Sequence, residues 1–378
     1  MTTVACLAAA LFVSQPTVIK LPGSFEAPED AQARSISVLR ARGNELFIGN
    51  GDWNKNRGPV WLWRYRVGEQ PEKVILLSDE AIDVIRVIDG RLYIPGVDSM
   101  ESHEFGSLYV ELASGWAKYR TVPRGLHVFD VAAFSGELFV GTGSDIGGGL
   151  FASKDDGKTW RQILDDPESF RICALGVLGD KLLAFPSNGK SSLWVYERDK
   201  LVRLNLDLFP GISFPEPQVG TDGSVFWRQN VHRLEAFQGK LLYTVSPGYN
   251  SRRRGEAVDR PLFLLSDLDQ SGILRVPFFT DMTIADIKAR SDRLYVLAVE
   301  EAEKSFVAKV YETTDLNHWQ LVLQHSCSAF PNALEIMPNQ FVIGLANPSA
   351  GESNTSSGDI LIFQRLPTPA PYFLRKTR

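Results

Sequence analysis

Cysteine is nearly absent, with Cys6, Cys173 and Cys327 the only three in 378 residues. Thiols so far apart make neither a disulfide framework nor a zinc-ligand spacing, so the fold has to stand on packing alone. Long apolar runs are also missing. The longest, VACLAAALFV at 4–13, has ten residues, about the length of a signal-peptide core and well short of the roughly 18 that cross a bilayer. No Lys or Arg precedes it, and the first basic residue is Lys20. A cytoplasmic location is expected, with export as the alternative if residues 1–14 act as a signal. A basic excess is lacking too: 40 Lys and Arg face 45 Asp and Glu, for a net charge of −5. That argues against a nucleic-acid partner, which needs a basic face. The five histidines have no ligand spacing, and phosphate loop, nucleophile elbow and HExxH motif are all absent. The expectation is no metal and no cofactor.

What is present is turn chemistry and repetition. Thirty-one Gly and 21 Pro are spread along the chain, as in proteins of many short strands joined by tight turns. One pattern recurs seven times: alternating apolar residues, a turn carrying Gly, Asp or Asn, then a β-prone run. It reads SVLRARGNELFIG at 37–49, DVIRVIDGRLYIP at 83–95, DVAAFSGELFVG at 130–141 and CALGVLGDKLLAF at 173–185. It returns as RLEAFQGKLLYTV at 233–245, DIKARSDRLYVLA at 286–298 and ALEIMPNQFVIGL at 333–345. Each copy has the form of a β-hairpin. The aligned positions Leu46, Leu92, Leu138, Leu182, Leu241, Leu294 and Phe341 step by 46, 46, 44, 59, 53 and 47 residues. A four-stranded propeller blade takes about 40–50 residues, so the chain is expected to be all-β, a single seven-bladed propeller of four-stranded antiparallel blades. The domain would run over 1–366. The last blade, cut off by Pro367, Pro369 and Pro371, lacks an outer strand, and residues 16–22 have the pattern to supply it and close the ring. Residues 367–378 are left as a Pro-rich basic tail.

A second signal sits at Ser153-Lys154-Asp155-Asp156-Gly157-Lys158-Thr159-Trp160. It fits S-x-D-x-G-x-T-W at every defined position and resembles the Asp-box of bacterial-neuraminidase (BNR) repeats in sialidase-like β-propellers. Ser153, Asp155, Gly157, Thr159 and Trp160 are its structural residues. Asp155 accepts N–H groups of its own turn, Gly157 takes a backbone conformation closed to other residues, and Trp160 packs the turn on the sheet. Thr313 to Trp319 looks like a copy shortened by one residue, and Ser114-Gly115-Trp116 keeps a remnant. In that family the motif marks the fold and lies away from ligand. The resemblance implies, for an active sialidase, three carboxylate-binding arginines, a Tyr–Glu nucleophile pair and an Asp acid/base. Phe170-Arg171-Ile172-Cys173 is close to the family's F/Y-R-I-P motif but opens the fourth blade instead of the first. Arg34 is better placed and lacks the flanking residues, and spacing assigns no Tyr–Glu pair.

In a propeller, the loops joining second to third strands and those joining blades share one face. The candidates are therefore sought there. Asp52, Asp98 and Asp145, with Arg171, are the candidate catalytic groups, since facing carboxylates can serve as acid and base. Trp53 is a candidate stacking residue. Tyr249 with Arg252, Arg253 and Arg254 forms the most distinctive cluster, suited to a carboxylate, a phosphate or an acidic protein; a solvated basic loop is the plainer explanation. The fifth blade, enlarged at Leu206 to Phe226 and Ser246 to Arg260, is where asymmetric function is expected. His127 precedes a strand and reads as a structural histidine. Taken together the chain reads as a non-catalytic binding or assembly scaffold presenting its loop face to a protein or glycan. The alternative is a glycan-active hydrolase or lyase at the channel mouth.

Overall fold

The computed structural model describes residues 15–23, 30–52, 57–144, 146–187, 192–212, 230–245, 260–280, 282–347 and 354–365, together with the backbone of 218–219 and 225–226. The chain forms a seven-bladed β-propeller of four-stranded antiparallel blades. Blade 1 is built from Ile36–Arg42, Glu45–Asn50, Val60–Arg66 and Glu72–Leu77, counted from the central channel outward. Blades 2 to 6 repeat the plan with inner strands Arg86–Ile88, His127–Phe134, Ile172–Leu178, Val231–Phe237 and Thr283–Arg290. Blade 7 takes three strands in sequence, Phe330–Met337, Gln340–Ala346 and Ile360–Gln364, and its outer strand is Thr17–Ile19 from the start of the chain. The pairing is antiparallel, with Thr17 opposite Ile362 and Ile19 opposite Ile360. Lys20 adds an ion pair to Asp359 at 3.2 Å. The edge of the last blade is thereby covered and the ring closed by chain ends distant in sequence.

The alternating apolar residues of the seven hairpins explain the packing. Each blade has two faces and must bury both, so the buried side chains fall into seven clusters, one at every blade-to-blade interface. Trp63 is 1% exposed between blades 7 and 1. Trp61 packs at the edge of the same cluster, with the Lys73 ammonium over both indoles.

One irregularity recurs. The inner strand carries a β-bulge at the equivalent place in every blade except the second, for example between Val128 and Asp130 and between Ile284 and Asp286. A bulge bends the strand and re-aims the next side chain. Here it turns acidic residues toward neighbouring blades. Asp130 of blade 3 accepts both Arg86 nitrogens of blade 2, at 2.8 and 2.7 Å, and the Leu175 N–H of blade 4 at 3.0 Å. Asp286 of blade 6 accepts the Leu334 N–H of blade 7 at 2.8 Å, with Lys288 at 3.3 Å and Arg233 of blade 5 at 3.7 Å. Glu335 of blade 7 accepts Arg290 of blade 6 at 2.7 Å and the Ala41 N–H of blade 1 at 2.9 Å. Across the channel, Arg40 approaches Glu235 at 3.6 Å, and Arg233 donates to the Ser37 and Asn332 carbonyls. Each carboxylate thus links three consecutive blades, and burial is offset by full pairing.

Candidate functional site

On the loop face, the connection between blades 1 and 2 is drawn inward and pinned. Asp79–Ala81 pairs with Val97–Ser99, the loop segment after the second strand of blade 2. From the other side, Gly51 bridges Ala81, and Asp52 N–H donates to the Glu80 carbonyl at 3.1 Å. Gly51 has φ +144°, and a Cβ there would stand 2.4 Å from the Ala81 Cα and from the Glu80 carbonyl oxygen. Only glycine permits this approach. Val97 also pairs with His127 at the start of blade 3. The loops of three blades are laced together by backbone hydrogen bonds, so side chains on them are held on a rigid frame.

These segments gather carboxyl groups. Asp52, Asp79 and Glu80 are 1%, 0% and 2% exposed, and Asp83 and Asp98 are half-buried beside them. Burial pushes the Glu80 carboxyl up to about 9, and the nearby charges of Asp98, Asp83, Asp52 and Asp79 push the same way. Asp79 is raised to about 6 by burial, against the pull of a 2.6 Å hydrogen bond from the Tyr109 hydroxyl. Asp98 is raised as well, through burial, with His103 and Arg171 opposing. Its backbone is left-handed, at φ +52°, a conformation that aspartate accepts more readily than most residues and that clusters at functional sites. At neutral pH Glu80 keeps its proton.

The cationic side of the site is smaller. Arg171, between blades 3 and 4, lies over the rings of Phe170 and Phe129 at 4.5 and 5.0 Å, so its guanidinium is held in place by stacking. His103 Nε2 is 3.7 Å from Asp98 Oδ1. His127 is driven down to about 3 by burial and by the nearby Arg171 and His103 charges, and is neutral in ordinary conditions.

Around this floor the same face carries apolar side chains turned to solvent. Met100 and Phe105 in the blade 2 loop are 52% and 37% exposed, and Ile146 at the tip of the blade 3 hairpin is 57% exposed. The Met100 N–H donates to the Ser78 carbonyl at 2.8 Å, which seats this residue next to the acidic segment.

The structure brings together three of the sequence candidates, Asp52, Asp98 and Arg171, and places them at the junction of blades 1 to 4. Trp53, Asp145, Tyr249, Arg252, Arg253 and Arg254 lie outside the described residues, as do residues 1–14 and the tail from 366 onward. Asp79, Glu80, Asp83, Met100, Phe105 and the Phe129–Phe170 pair were not singled out from sequence. The run Asp79-Glu80-Ala81-Ile82-Asp83 was a usable signal: three acids in five residues ahead of a hairpin whose inner strand starts only at Arg86. Among the described residues, no group of three or more His, Cys, Asp or Glu is arranged to hold a metal ion, and no helix is long and apolar enough to cross a membrane.

The opposite face carries the Ser153-to-Trp160 turn, between the third and fourth strands of blade 3. Ser153 Oγ accepts from the N–H groups of Asp155 and Gly157 and donates to Asp155, whose carboxylate also takes the Thr159 N–H and hydroxyl. These bonds, led by the Thr159 hydroxyl, hold Asp155 down at about 2. Trp160 donates to Thr121 of blade 2 at 3.0 Å. Blade 6 repeats the device: Asp315 accepts from Thr313, the Asn317 and His318 N–H groups and the His318 ring. The Asp155 and Asp315 carboxylates are thus engaged within their own turns, while blade 2 ties down the first turn through Arg91 on Asp156 at 2.9 Å and the Thr121 hydroxyl on the Gly157 carbonyl at 2.6 Å.

No protein-family model matches the chain, and no curated protein matches it in sequence. Its likeness is to solved structures, at identities too low to carry more than the fold. YCF48 bound to a D1 peptide aligns at 14% identity and a TM-score of 0.52, over 96% of this chain and 98% of that one. YCF48 from Cyanidioschyzon merolae aligns at 10% and 0.54, over 93% and 99%. The GH74 xyloglucanase from Xanthomonas campestris aligns at 11% and 0.55, over 92% of this chain and 55% of that one. The chain is a seven-bladed β-propeller similar in fold to a peptide-bound propeller of its own length and to about half of a larger glycoside hydrolase.

Proposed function

We propose that this chain is a non-catalytic binding propeller that holds a protein partner on its loop face, over blades 1 to 4. The observation that carries the reading is the set of solvent-turned apolar residues Met100, Phe105 and Ile146 beside a rigid charged floor. Large apolar groups rimmed by polar ones are the usual composition of a protein interface. Support comes from the inner strands, where the charged groups are spent on holding blades together. The likeness in fold to YCF48, a propeller seen bound to a peptide, agrees with a binding role. The Ser153 and Thr313 turns fit descent from Asp-box propellers.

A glycan-active reading rests on Glu80, which stays protonated to about pH 9 near the carboxylate of Asp98. A general acid needs contact with the leaving group, and Glu80 is 2% exposed. The binding reading therefore leads. It is tested by replacing Met100 and Phe105 with Asp and comparing partner recovery with wild type, alongside turnover of a broad glycoside panel. Loss of recovery without turnover is expected. Turnover that disappears on Asp98→Asn or Asp52→Asn would overturn it.

A further inference from the structure

Arg233 breaks the pattern of the inner strands. Counted from the hairpin pairs Ala133–Leu138, Ala236–Leu241 and Ala289–Leu294, it stands where blades 3 and 6 carry Asp130 and Asp286. Those carboxylates each take an N–H group of the next blade. The guanidinium of Arg233 crosses the channel instead. Its Nη2 donates to the Ser37 carbonyl of blade 1 at 2.8 Å and to the Asn332 carbonyl of blade 7 at 3.2 Å. Its Nε stands 3.7 Å from Asp286 Oδ1, which compensates the charge, and the side chain is 9% exposed. The backbone is left-handed at φ +51°, a conformation rare for a residue other than glycine and one that tends to mark a position with a task.

Both acceptors belong to bulges. Ser37 is the extra residue between Ile36 and Val38, and Asn332 is the extra residue between Pro331 and Ala333. Such a residue drops out of the ladder, so its carbonyl needs a donor from elsewhere. The two carbonyls flank the seam at which the last blade meets the first. Asn332 Nδ2 also donates across that seam to the Ile36 carbonyl at 2.8 Å, and Arg40 of blade 1 faces Glu235 of blade 5 at 3.6 Å. Blade 5 is tied to both sides of the seam from inside the channel, while the Thr17–Ile19 strand acts at the rim.

We infer that Arg233 is a cross-channel lock on the seam between blades 7 and 1, a second closure of the ring that works independently of the N-terminal strand. One nitrogen holds a carbonyl from each side, so the two blades part only when a charge-assisted hydrogen bond breaks at a buried site. Lysine replaces it only in part, because its ammonium ends one bond short of Nη2 and lacks the planar geometry. The same bonds make blade 5 part of the closure. The ring is thus held across its channel as well as along its edge.

The test is amide hydrogen exchange on the full chain. The Ala41 N–H, bonded to Glu335, and the Asn347 N–H, bonded to Ser35 Oγ, report on the seam. The Leu175 N–H, bonded to Asp130, reports on the junction of blades 3 and 4. In the wild type, after correction for intrinsic rates, the three should exchange within about tenfold of one another. Arg233→Met keeps the stem and removes the donors. It should speed Ala41 and Asn347 about tenfold and leave Leu175 unchanged, with Arg233→Lys in between. Ile19→Asp puts a charge at the buried position of the outer strand, and the seam amides should then stay within about threefold of wild type. Equal acceleration of all three amides in Arg233→Met makes the residue a general stabiliser and overturns the lock, as does no acceleration. Seam protection lost in Ile19→Asp but kept in Arg233→Met assigns closure to the strand alone and also overturns it. If Arg233→Met does not fold, the wild type and Ile19→Asp decide: seam amides more than about a hundredfold faster than Leu175 in either mean an unlocked seam.

Discussion

Asp286 and Glu80 are both carboxyl groups closed off from water, at 0% and 2% exposure, and their surroundings could hardly differ more. Asp286 takes two backbone N–H groups and stands beside Lys288 and Arg233. Glu80 has acids on several sides and an oxygen with no donor among the described residues. Asp286 belongs to an inner strand, where the bulge repeated in six blades aims carboxylates at the next blade. Glu80 belongs to a connection that interrupts the repeat. Repetition has produced paired charge that links the blades, and departure from repetition has produced buried acids whose proton affinity is raised by burial and, at Glu80, by the charges beside it.

The comparison breaks first if the inner-strand charges prove dispensable. Asp286→Ala leaves the buried Lys288 without its counter-charge and the Ile287 and Leu334 N–H groups without their acceptor, and urea unfolding should show a loss of about 3–5 kcal/mol. A loss below about 1 kcal/mol, the worth of an exposed ion pair, would mean that these links do not hold the ring. The seam between blades 7 and 1 sharpens the point, because it is held both by Glu335 and by the Thr17–Ile19 strand. Truncation before residue 22 removes the buried Ile19 and three ladder positions and should cost about 2–4 kcal/mol. An unchanged melting temperature would contradict closure by that strand.

On the loop face the expected effect has the opposite sign. The folded-state pKa of Glu80, about 9, lies above its ordinary 4.5, so its contribution to stability is complete below about pH 4.5 and is lost as pH rises toward 9. Asp79, raised from 3.8 to about 6, adds to the loss between those values. Glu80→Gln cannot ionise, so its melting temperature should fall less than that of wild type between pH 5 and 9, and the two should converge near pH 4. Parallel curves would show that Glu80 is not held protonated. The smallest effect is expected on the opposite face. Ser153→Ala removes the acceptor of the Asp155 and Gly157 N–H groups and should cost about 1–2 kcal/mol without altering partner binding.

Much of the fold was legible in the chain because hairpins are local. Seven copies of one pattern named seven blades, and the turn at Ser153 announced the hydrogen bonds of Ser153 and Asp155, which lie within seven residues. The site was legible only in part, for the same reason. Asp98 and Arg171 could be put on the loop face from loop positions alone. Their meeting with Glu80 depends on Gly51 touching Ala81 and on Val97 reaching both Ala81 and His127, contacts between loops of different blades that no periodicity encodes. The inner-strand links escaped for a related reason: a bulge is one extra residue, invisible in an apolar pattern until the register is seen.

The central claim is that the loop face, and not the ring as a whole, is the docking surface. The most direct measurement is site-specific photo-cross-linking in native extract, with benzoylphenylalanine in place of Met100 or of Val67, an equally exposed residue (52% and 55%) on the opposite face. The account predicts a discrete protein adduct from position 100 and none from position 67. Equal labelling from both positions, or none from position 100, would contradict it.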